Sequence, residues 1–213
     1  MSAYMYPDNH THNSGTTTVT RLHNIILHTR PCPKLRVSGY TIFPRLLGRQ
    51  VFSEERTRMI EDCDEVYPGI FIGDERAARN KAYLQQMGIT HIVNTAEGCG
   101  FGQVNTGRSY YYGTNIQYLG MNVLDNPQAR ICDHFDEAAN FIDSALRSGG
   151  KVLIHCLMGV SRSSTVAIAY LVIKKGMTAE DSLRTLRNNR AVRPNTGFLR
   201  QLAELDIKLN SKK

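Results

Sequence analysis

The sequence lacks any continuous apolar run near the 18 residues that a membrane-spanning helix requires. Its cysteines are odd in number, irregularly spaced and without a CxxC pair, and the N-terminus lacks the apolar core of a secretory signal. They are Cys32, Cys63, Cys99, Cys132 and Cys156. These absences argue against a membrane span and favour a reducing compartment, in which thiols stay free. We therefore expect a cytoplasmic or nuclear protein.

Acidic residues are scarce in the N-terminal quarter of the chain. Residues 1–52 contain six Lys or Arg side chains and one carboxylate, Asp8, so five of the seven net positive charges lie there. We interpret residues 1–53 as a basic, partly disordered and solvated extension, whose polar, Thr-rich first 20 residues form a disordered tail. An acidic partner, a membrane surface or an organelle presequence are the alternatives for this extension. Residues 54–213 are predicted to form one folded domain.

Short apolar runs alternate with amphipathic segments from residue 54 onward. Predicted strands cover 65–73, 89–96, 116–123 and 151–156, and predicted helices cover 74–88, 131–150 and most of the chain after 162. Gly88 and Gly149 are helix stop signals, and Thr178 with Asp181 resembles a helix cap. This alternation predicts an α/β fold with a mostly parallel central sheet covered by helices on both faces. Ligands bind such sheets beyond the carboxyl ends of the strands.

Cys156 lies at one of those strand ends. It is followed by LMGVSR and then by a helical run, so the N–H groups of a tight turn and the helix N-terminus are expected to converge on the sulfur. Arg162 adds a planar guanidinium suited to two oxygens of one phosphate. Gly159 permits the bend, and the small Ser161 allows close approach of the backbone. The pattern predicts an anion-binding loop around a thiol whose pKa is lowered.

The residues around this loop make the motif more specific than the spacing of cysteine and arginine alone. His155 precedes the cysteine, Ser163 follows the arginine, an apolar strand leads in and a helix leads out. HCLMGVSRS resembles the HCxxGxxRS signature of the cysteine-dependent protein tyrosine phosphatases, and residues 64–209 are similar to the atypical dual-specificity phosphatases of the VHR-like subgroup. Other matching stretches are ITHIVNTAEG, YLGMNVLDN, AANFIDSAL, LRNNR and RPNTGFL. The resemblance implies a sheet of about five strands, and hydrolysis of phosphotyrosine and phosphoserine or phosphothreonine esters without a metal or cofactor.

The resemblance also implies a role for individual residues. Cys156 is the expected nucleophile, and Asp125 lies where the family places its general acid, although an aspartate before Asn and Pro is also a common turn former. Ser163 is expected to hydrogen-bond the sulfur as it leaves. His155 is expected to orient the loop, with an ordinary strand-end histidine as the alternative. The groups expected to bind phosphate together with Arg162 belong to Leu157, Met158, Gly159, Val160 and Ser161.

Residues outside the loop extend the candidate site. Arg190 and Arg193 are predicted to form a second basic spot that binds another phosphate, with solvated charges at a helix end as the alternative. Asn94 and Asn195 are expected to brace loops.

The variable positions of the loop bear on the substrate. Leu157, Met158 and Val160 are uncharged, whereas phosphatases that act on inositol lipids tend to carry basic residues there, so we expect phosphorylated proteins as substrates. Mitogen-activated protein kinases are candidate partners, and no nucleic-acid partner is expected. A phospho-binding scaffold or regulator with weak turnover is the alternative function. Cys99 and Cys132 are expected to be free thiols, with a disulfide to the nucleophile under oxidation as the alternative.

Overall fold

The computed structural model describes residues 16–29 and 62–210. Its five-stranded sheet has the order β1-β2-β5-β3-β4, in which β1 and β2 are antiparallel and all other neighbours are parallel. The strands are β1 Cys63–Tyr67, β2 Ile70–Gly73, β3 His91–Asn94, β4 Gln117–Gly120 and β5 Val152–His155. The predicted mostly parallel sheet of about five strands is therefore confirmed.

The segment 65–73 is not a single strand as predicted. Pro68 and Gly69 turn the chain between β1 and β2, and Gly69 has a φ of +76°, a conformation that favours glycine. The resulting hairpin is the antiparallel edge of the sheet. The central strand β5 is buried along its whole length between β2 and β3, so the residue that follows it emerges in the middle of the sheet edge.

Helices cover both faces of the sheet. They are α1 Val19–His28, α2 Glu75–Arg79, α3 Lys81–Met87, α4 Phe135–Arg147, α5 Arg162–Lys175, α6 Ala179–Arg187 and α7 Thr196–Asn210. The predicted helix 74–88 is interrupted at Asn80, which ends α2 and whose side chain accepts the Tyr83 N–H to cap α3. The predicted cap of α6 is confirmed, because the Thr178 hydroxyl accepts the Asp181 N–H. None of the helices in the described residues is long and apolar enough to cross a membrane.

The helix α5 is the centre of the larger hydrophobic core. Residues 162–172 are all buried, and α4, α6 and α7 pack around the helix. A second, smaller apolar cluster between α2, α3 and the other face of the sheet contains Phe71, Leu84 and Leu153. Because α5 is enclosed on all sides, its N-terminus is held at a fixed position next to the end of β5.

Residues 19–28 form the helix α1, although a solvated, partly disordered extension was expected there. Its residues Leu22, Ile25 and Ile26 are buried in the main core, where α1 packs against α6 and α7. The buried Arg187 donates to the Ile26 carbonyl at the end of α1, and Arg21 forms an ion pair with Glu180. A ten-residue helix is marginal alone, so these contacts stabilise it. The predicted disorder of residues 1–15 and the extension at 30–53 lie outside the described residues.

Candidate active site

The loop between β5 and α5 encloses the sulfur of Cys156. The Gly159 N–H donates to Sγ at 3.2 Å, and the Ser163 hydroxyl lies 3.5 Å from it. Gly159 has a φ of +64°, and a Cβ atom there would lie 2.6 Å from the Gly73 carbonyl oxygen. Glycine is therefore required at this position both by its backbone conformation and by the space around it.

The environment of Cys156 lowers the pKa of its thiol. Burial acts in the opposite direction and is the largest single influence, because it disfavours the charged thiolate. Hydrogen bonds from the Ser163 side chain and backbone, the charge of Arg162 and the Val160 N–H together outweigh it. The N-terminus of α5 contributes the same polarity. The lowered pKa favours the thiolate, which is the nucleophilic form of cysteine.

Arg162 is the first residue of α5, and its guanidinium is held by two other loops. Nη1 donates to the Gly102 carbonyl at 2.9 Å and to the Val123 carbonyl at 3.1 Å. These residues lie in the segments that follow β3 and β4. Nε is buried and hydrogen-bonds to no described residue, and it lies 3.6 Å from a carboxylate oxygen of Asp125. The guanidinium is fixed in orientation while this N–H is available to an oxyanion.

Asp125 is positioned by hydrogen bonds from the phosphate-binding side of the site. Its Oδ1 accepts the Ser161 hydroxyl at 2.8 Å and the Asn195 amide at 2.9 Å. About a third of the side chain (34%) remains exposed. The Asp125 carboxyl group, in the loop after β4, therefore lies beside the loop that contains Cys156 and is partly open to solvent.

Two of these contacts were not expected from the sequence. Ser161 was predicted for its small size, yet its hydroxyl holds Asp125. Asn195 was predicted to brace a loop. Its side-chain oxygen accepts the Phe198 N–H at the start of α7, and its amide donates to Asp125 in the loop after β4. Asn94 likewise braces the loop after β3, through the Ala96 N–H and the Val104 carbonyl. The contacts of Ser161 and Asn195 with Asp125 join segments distant in sequence, so no local pattern indicates their partner.

His155 is fully buried beneath the loop. Its Nδ1 lies 3.4 Å from the Cys156 carbonyl oxygen, and Nε2 hydrogen-bonds to no described residue. Burial lowers the pKa of this imidazole to about 4, so it is neutral at physiological pH. A buried, neutral ring is poorly suited to transferring protons, and the expected role of His155 in orienting the loop stays a prediction.

The predicted basic spot of Arg190 and Arg193 is not formed. The Arg190 side chain is 6% exposed and lies behind the loop, where Nε donates to the Gly159 carbonyl at 2.7 Å. Its Nη1 pairs with the carboxylates of Asp62 and Asp64, both at 2.9 Å. These contacts occupy the guanidinium, so Arg190 braces the loop instead of binding substrate. The Arg193 side chain is exposed on the other side, next to Asp125.

Comparison with known proteins agrees with this geometry. The family model of the dual specificity phosphatase catalytic domain matches residues 70–208. The chain belongs to this family. It is 45% identical to mouse dual specificity protein phosphatase 13B over 155 residues, which cover 72% of this chain and 77% of that protein.

Solved structures of the family have the same fold. Human DUSP28 is 27% identical with a TM-score of 0.60, covering 70% of this chain and 95% of that chain. A mouse dual specificity phosphatase complexed with zinc tungstate is 26% identical with a TM-score of 0.62, covering 78% and 96%. The protein is therefore a cysteine-dependent dual-specificity protein phosphatase. The helix α1 lies before residues 70–208, which match the family model.

The surface around the catalytic loop of this phosphatase is apolar. Met158 is 67% exposed, and Leu157 and Val160 are half-buried beside it. Phe101 and Leu124, in the two loops that hold Arg162, are also exposed. An apolar rim around a polar floor suits an aromatic phosphoester or apolar residues flanking it.

The four cysteines in the described residues are all free thiols, and a disulfide of Cys156 under oxidation stays a prediction.

The buried position of Arg190 leads to a stability prediction. Arg190→Met should lower the free energy of unfolding by about 2 to 4 kcal/mol, because it removes one partner of a buried, hydrogen-bonded charge pair. Urea denaturation measures the change. Arg193→Met, which removes an exposed guanidinium three residues later, should change the same quantity by no more than about 0.5 kcal/mol. Equal effects of the two substitutions would contradict the assigned positions.

Proposed function

We propose that the phosphatase hydrolyses phosphoesters with Cys156 as nucleophile, Arg162 as the phosphate ligand and Asp125 as general acid. One observation carries this assignment: Arg162 and Asp125, which come from different elements, meet at the loop that encloses the lowered-pKa thiol. The thiolate attacks phosphorus in line with the departing oxygen, and the bond from phosphorus to the substrate oxygen breaks as the bond to sulfur forms.

The loop and Arg162 stabilise the charge that develops on the phosphoryl oxygens. The Arg162 Nε–H and the N–H groups of the loop are donors fixed before the reaction begins, so little reorganisation is needed when charge accumulates. Contacts from the Gly102 and Val123 carbonyls prevent the guanidinium from turning away from the loop.

Asp125 serves both halves of the reaction. In its protonated form it donates a proton to the leaving phenoxide or alkoxide, and its conjugate base then removes a proton from the water that attacks the phosphocysteine. Its partial exposure and its hydrogen bonds from Ser161 and Asn195 keep it accessible and oriented. In the second half, the Ser163 hydroxyl stabilises the departing thiolate of Cys156.

A trapping experiment tests this sequence of steps. When the full chain is mixed with a ³²P-labelled phosphotyrosine peptide and quenched in acid within milliseconds, the label should be attached to the peptide that contains Cys156. Rapid-quench labelling followed by peptide mapping measures this. Binding of the peptide without label or phosphate release would instead support the alternative of a phospho-binding scaffold.

The wider setting of the reaction is also part of the proposal. Mitogen-activated protein kinases are proposed as substrates and a cytoplasmic or nuclear location as the site of action. The first rests on the resemblance to the VHR-like subgroup, and the second on cysteines that are free thiols in the described residues. Capture of phosphorylated kinases by a Cys156→Ser variant and imaging of the tagged full chain test the two statements.

A further inference from the structure

The two carbonyl groups that hold Arg162 belong to different loops, and a side-chain hydrogen bond joins these loops beside both carbonyls. Gly102 lies in the loop after β3, and Val123 lies in the loop after β4. Their sequence neighbours Gln103 and Asn122 are bonded to each other, because Gln103 Nε2 donates to Asn122 Oδ1 at 2.5 Å. One bond therefore sets the spacing between the two acceptors of the catalytic guanidinium.

The Gln103 side chain also organises its own loop. Its Oε1 accepts the Gly100 N–H at 2.8 Å, and its Nε2 donates to the Glu97 carbonyl at 3.1 Å. Together with the bond to Asn122, these contacts use the amide oxygen and both N–H groups of the amide nitrogen. The side chain thus ties the beginning, the middle and the end of residues 97–103 to one another.

The glycines of this loop make room for the Gln103 side chain. They occupy every second position of GCGFGQ, which covers residues 98–103. A Cβ atom at Gly98 would lie 2.5 Å from the Gln103 side chain, and one at Gly100 would lie 2.7 Å from it. A glycine-rich segment loses much conformational entropy when it becomes fixed. The three hydrogen bonds of Gln103 offset part of that loss.

The ends of the loop are anchored independently of Gln103. The Val104 N–H donates to the Ala96 carbonyl at 2.7 Å, and both residues are buried with Cys156 in one small apolar cluster. The conformation that the Gln103 amide controls is therefore that of the residues between these anchors. Gly102, whose carbonyl accepts from Arg162, is one of them.

We propose that Gln103 and Asn122 are positioning residues, whose hydrogen bond fixes the Gly102 and Val123 carbonyls and thereby orients the Arg162 Nε–H towards the phosphoryl oxygens. When the bond is absent, the two loops move apart more often, and the fraction of molecules with an oriented guanidinium falls. The rate falls by the same factor, since only that fraction is competent. This inference rests on the proposed function, because it concerns the same catalytic site.

Replacing Gln103 with alanine tests the link. In the full chain, Gln103→Ala should lower kcat/KM by about 3- to 10-fold, the range expected for the net contribution of a hydrogen bond. The loss should be the same for phosphotyrosine peptides and for 2,4-dinitrophenyl phosphate, because Arg162 stabilises the phosphoryl oxygens whichever group leaves. Titration calorimetry with inorganic tungstate should show a weakening of similar size.

Two substitutions of Asn122 test the link from the other loop. Asn122→Ala should lower kcat/KM by about 2- to 5-fold, less than Gln103→Ala does, because Gln103 keeps its two bonds within its own loop. Asn122→Asp still offers an oxygen to Gln103 and should keep the rate within about twofold of the wild-type chain. A general loss of stability would not follow the presence of this acceptor.

Gln128→Ala is the matched control, because Gln128 is an exposed glutamine of the loop after β4 that takes no part in the link. It should keep the wild-type rate and tungstate affinity. Equal rates and affinities of Gln103→Ala and Gln128→Ala would overturn the proposal. A loss confined to the peptides would also overturn it, since the link would then act on Asp125 and not on Arg162. A wild-type chain without turnover would count against the proposed function, while the tungstate affinities would still test the link.

Discussion

Replacing Cys156 with serine should lower the turnover of phosphotyrosine peptides by at least about 10⁴-fold, because a serine hydroxyl is not ionised at neutral pH and a weak nucleophile replaces a thiolate. Binding of an oxyanion should persist, since Arg162 and the Gly159 N–H remain in place. Phosphate release from the peptides measures the first effect. Titration calorimetry with inorganic tungstate measures the second.

The control for this substitution is Cys99→Ser. Cys99 is an exposed free thiol in the loop after β3, so the variant should retain the activity of the wild-type chain. Turnover by Cys156→Ser within about tenfold of the wild-type rate would remove the nucleophile from the mechanism. Loss of tungstate binding together with turnover would indicate that the loop itself had collapsed.

The second large effect is expected for Asp125→Asn. It should lower kcat for phosphotyrosine and phosphothreonine peptides by about 10²- to 10⁴-fold, because the leaving oxygen no longer receives a proton. The amide oxygen can still accept from Ser161 and Asn195, so the geometry of the site is kept. With 2,4-dinitrophenyl phosphate, whose leaving group is stable as an anion, the loss in the first chemical step should be much smaller. Steady-state and burst kinetics with both kinds of substrate measure the contrast.

Asp133→Asn provides the comparison for Asp125→Asn. Asp133 is an exposed carboxylate paired with Arg130 in the turn that precedes α4, so its removal should leave kcat unchanged for both substrates. If Asp125→Asn slowed the dinitrophenyl ester as severely as the peptides, its role would be positioning of the loop and not proton donation.

The fold class and the central chemistry could be predicted from the sequence because they depend on local patterns. Alternating strands and helices predict a mostly parallel sheet, which the structure confirms. The apolar strand, the glycine-containing turn and the helix around Cys156 are contiguous, so the convergence of N–H groups on the sulfur follows from the chain order itself. The positive φ of Gly159 is likewise a property of one short turn.

Other features were decided by tertiary packing. The two halves of the segment 65–73 pair with each other, and the helix 74–88 is interrupted where the Asn80 side chain caps α3. The helix α1 is stable because α6 and α7 cover its apolar face, a contact between residues about 160 positions apart. Such contacts depend on which surfaces meet after folding, and neither propensity nor periodicity reports this.

The pair of arginines near the C-terminal end shows the same division. The family resemblance of LRNNR and RPNTGFL predicted that Arg190 and Arg193 lie near the catalytic loop, and both occur in the stretch that joins α6 to α7. Only the tertiary structure decided that Arg190 turns inward to Asp62 and Asp64 while the Arg193 side chain stays exposed. A guanidinium binds whichever anion the fold brings within reach, and those partners come from segments more than 100 residues away. The sequence therefore specifies the charge, and the packing of distant elements specifies its use.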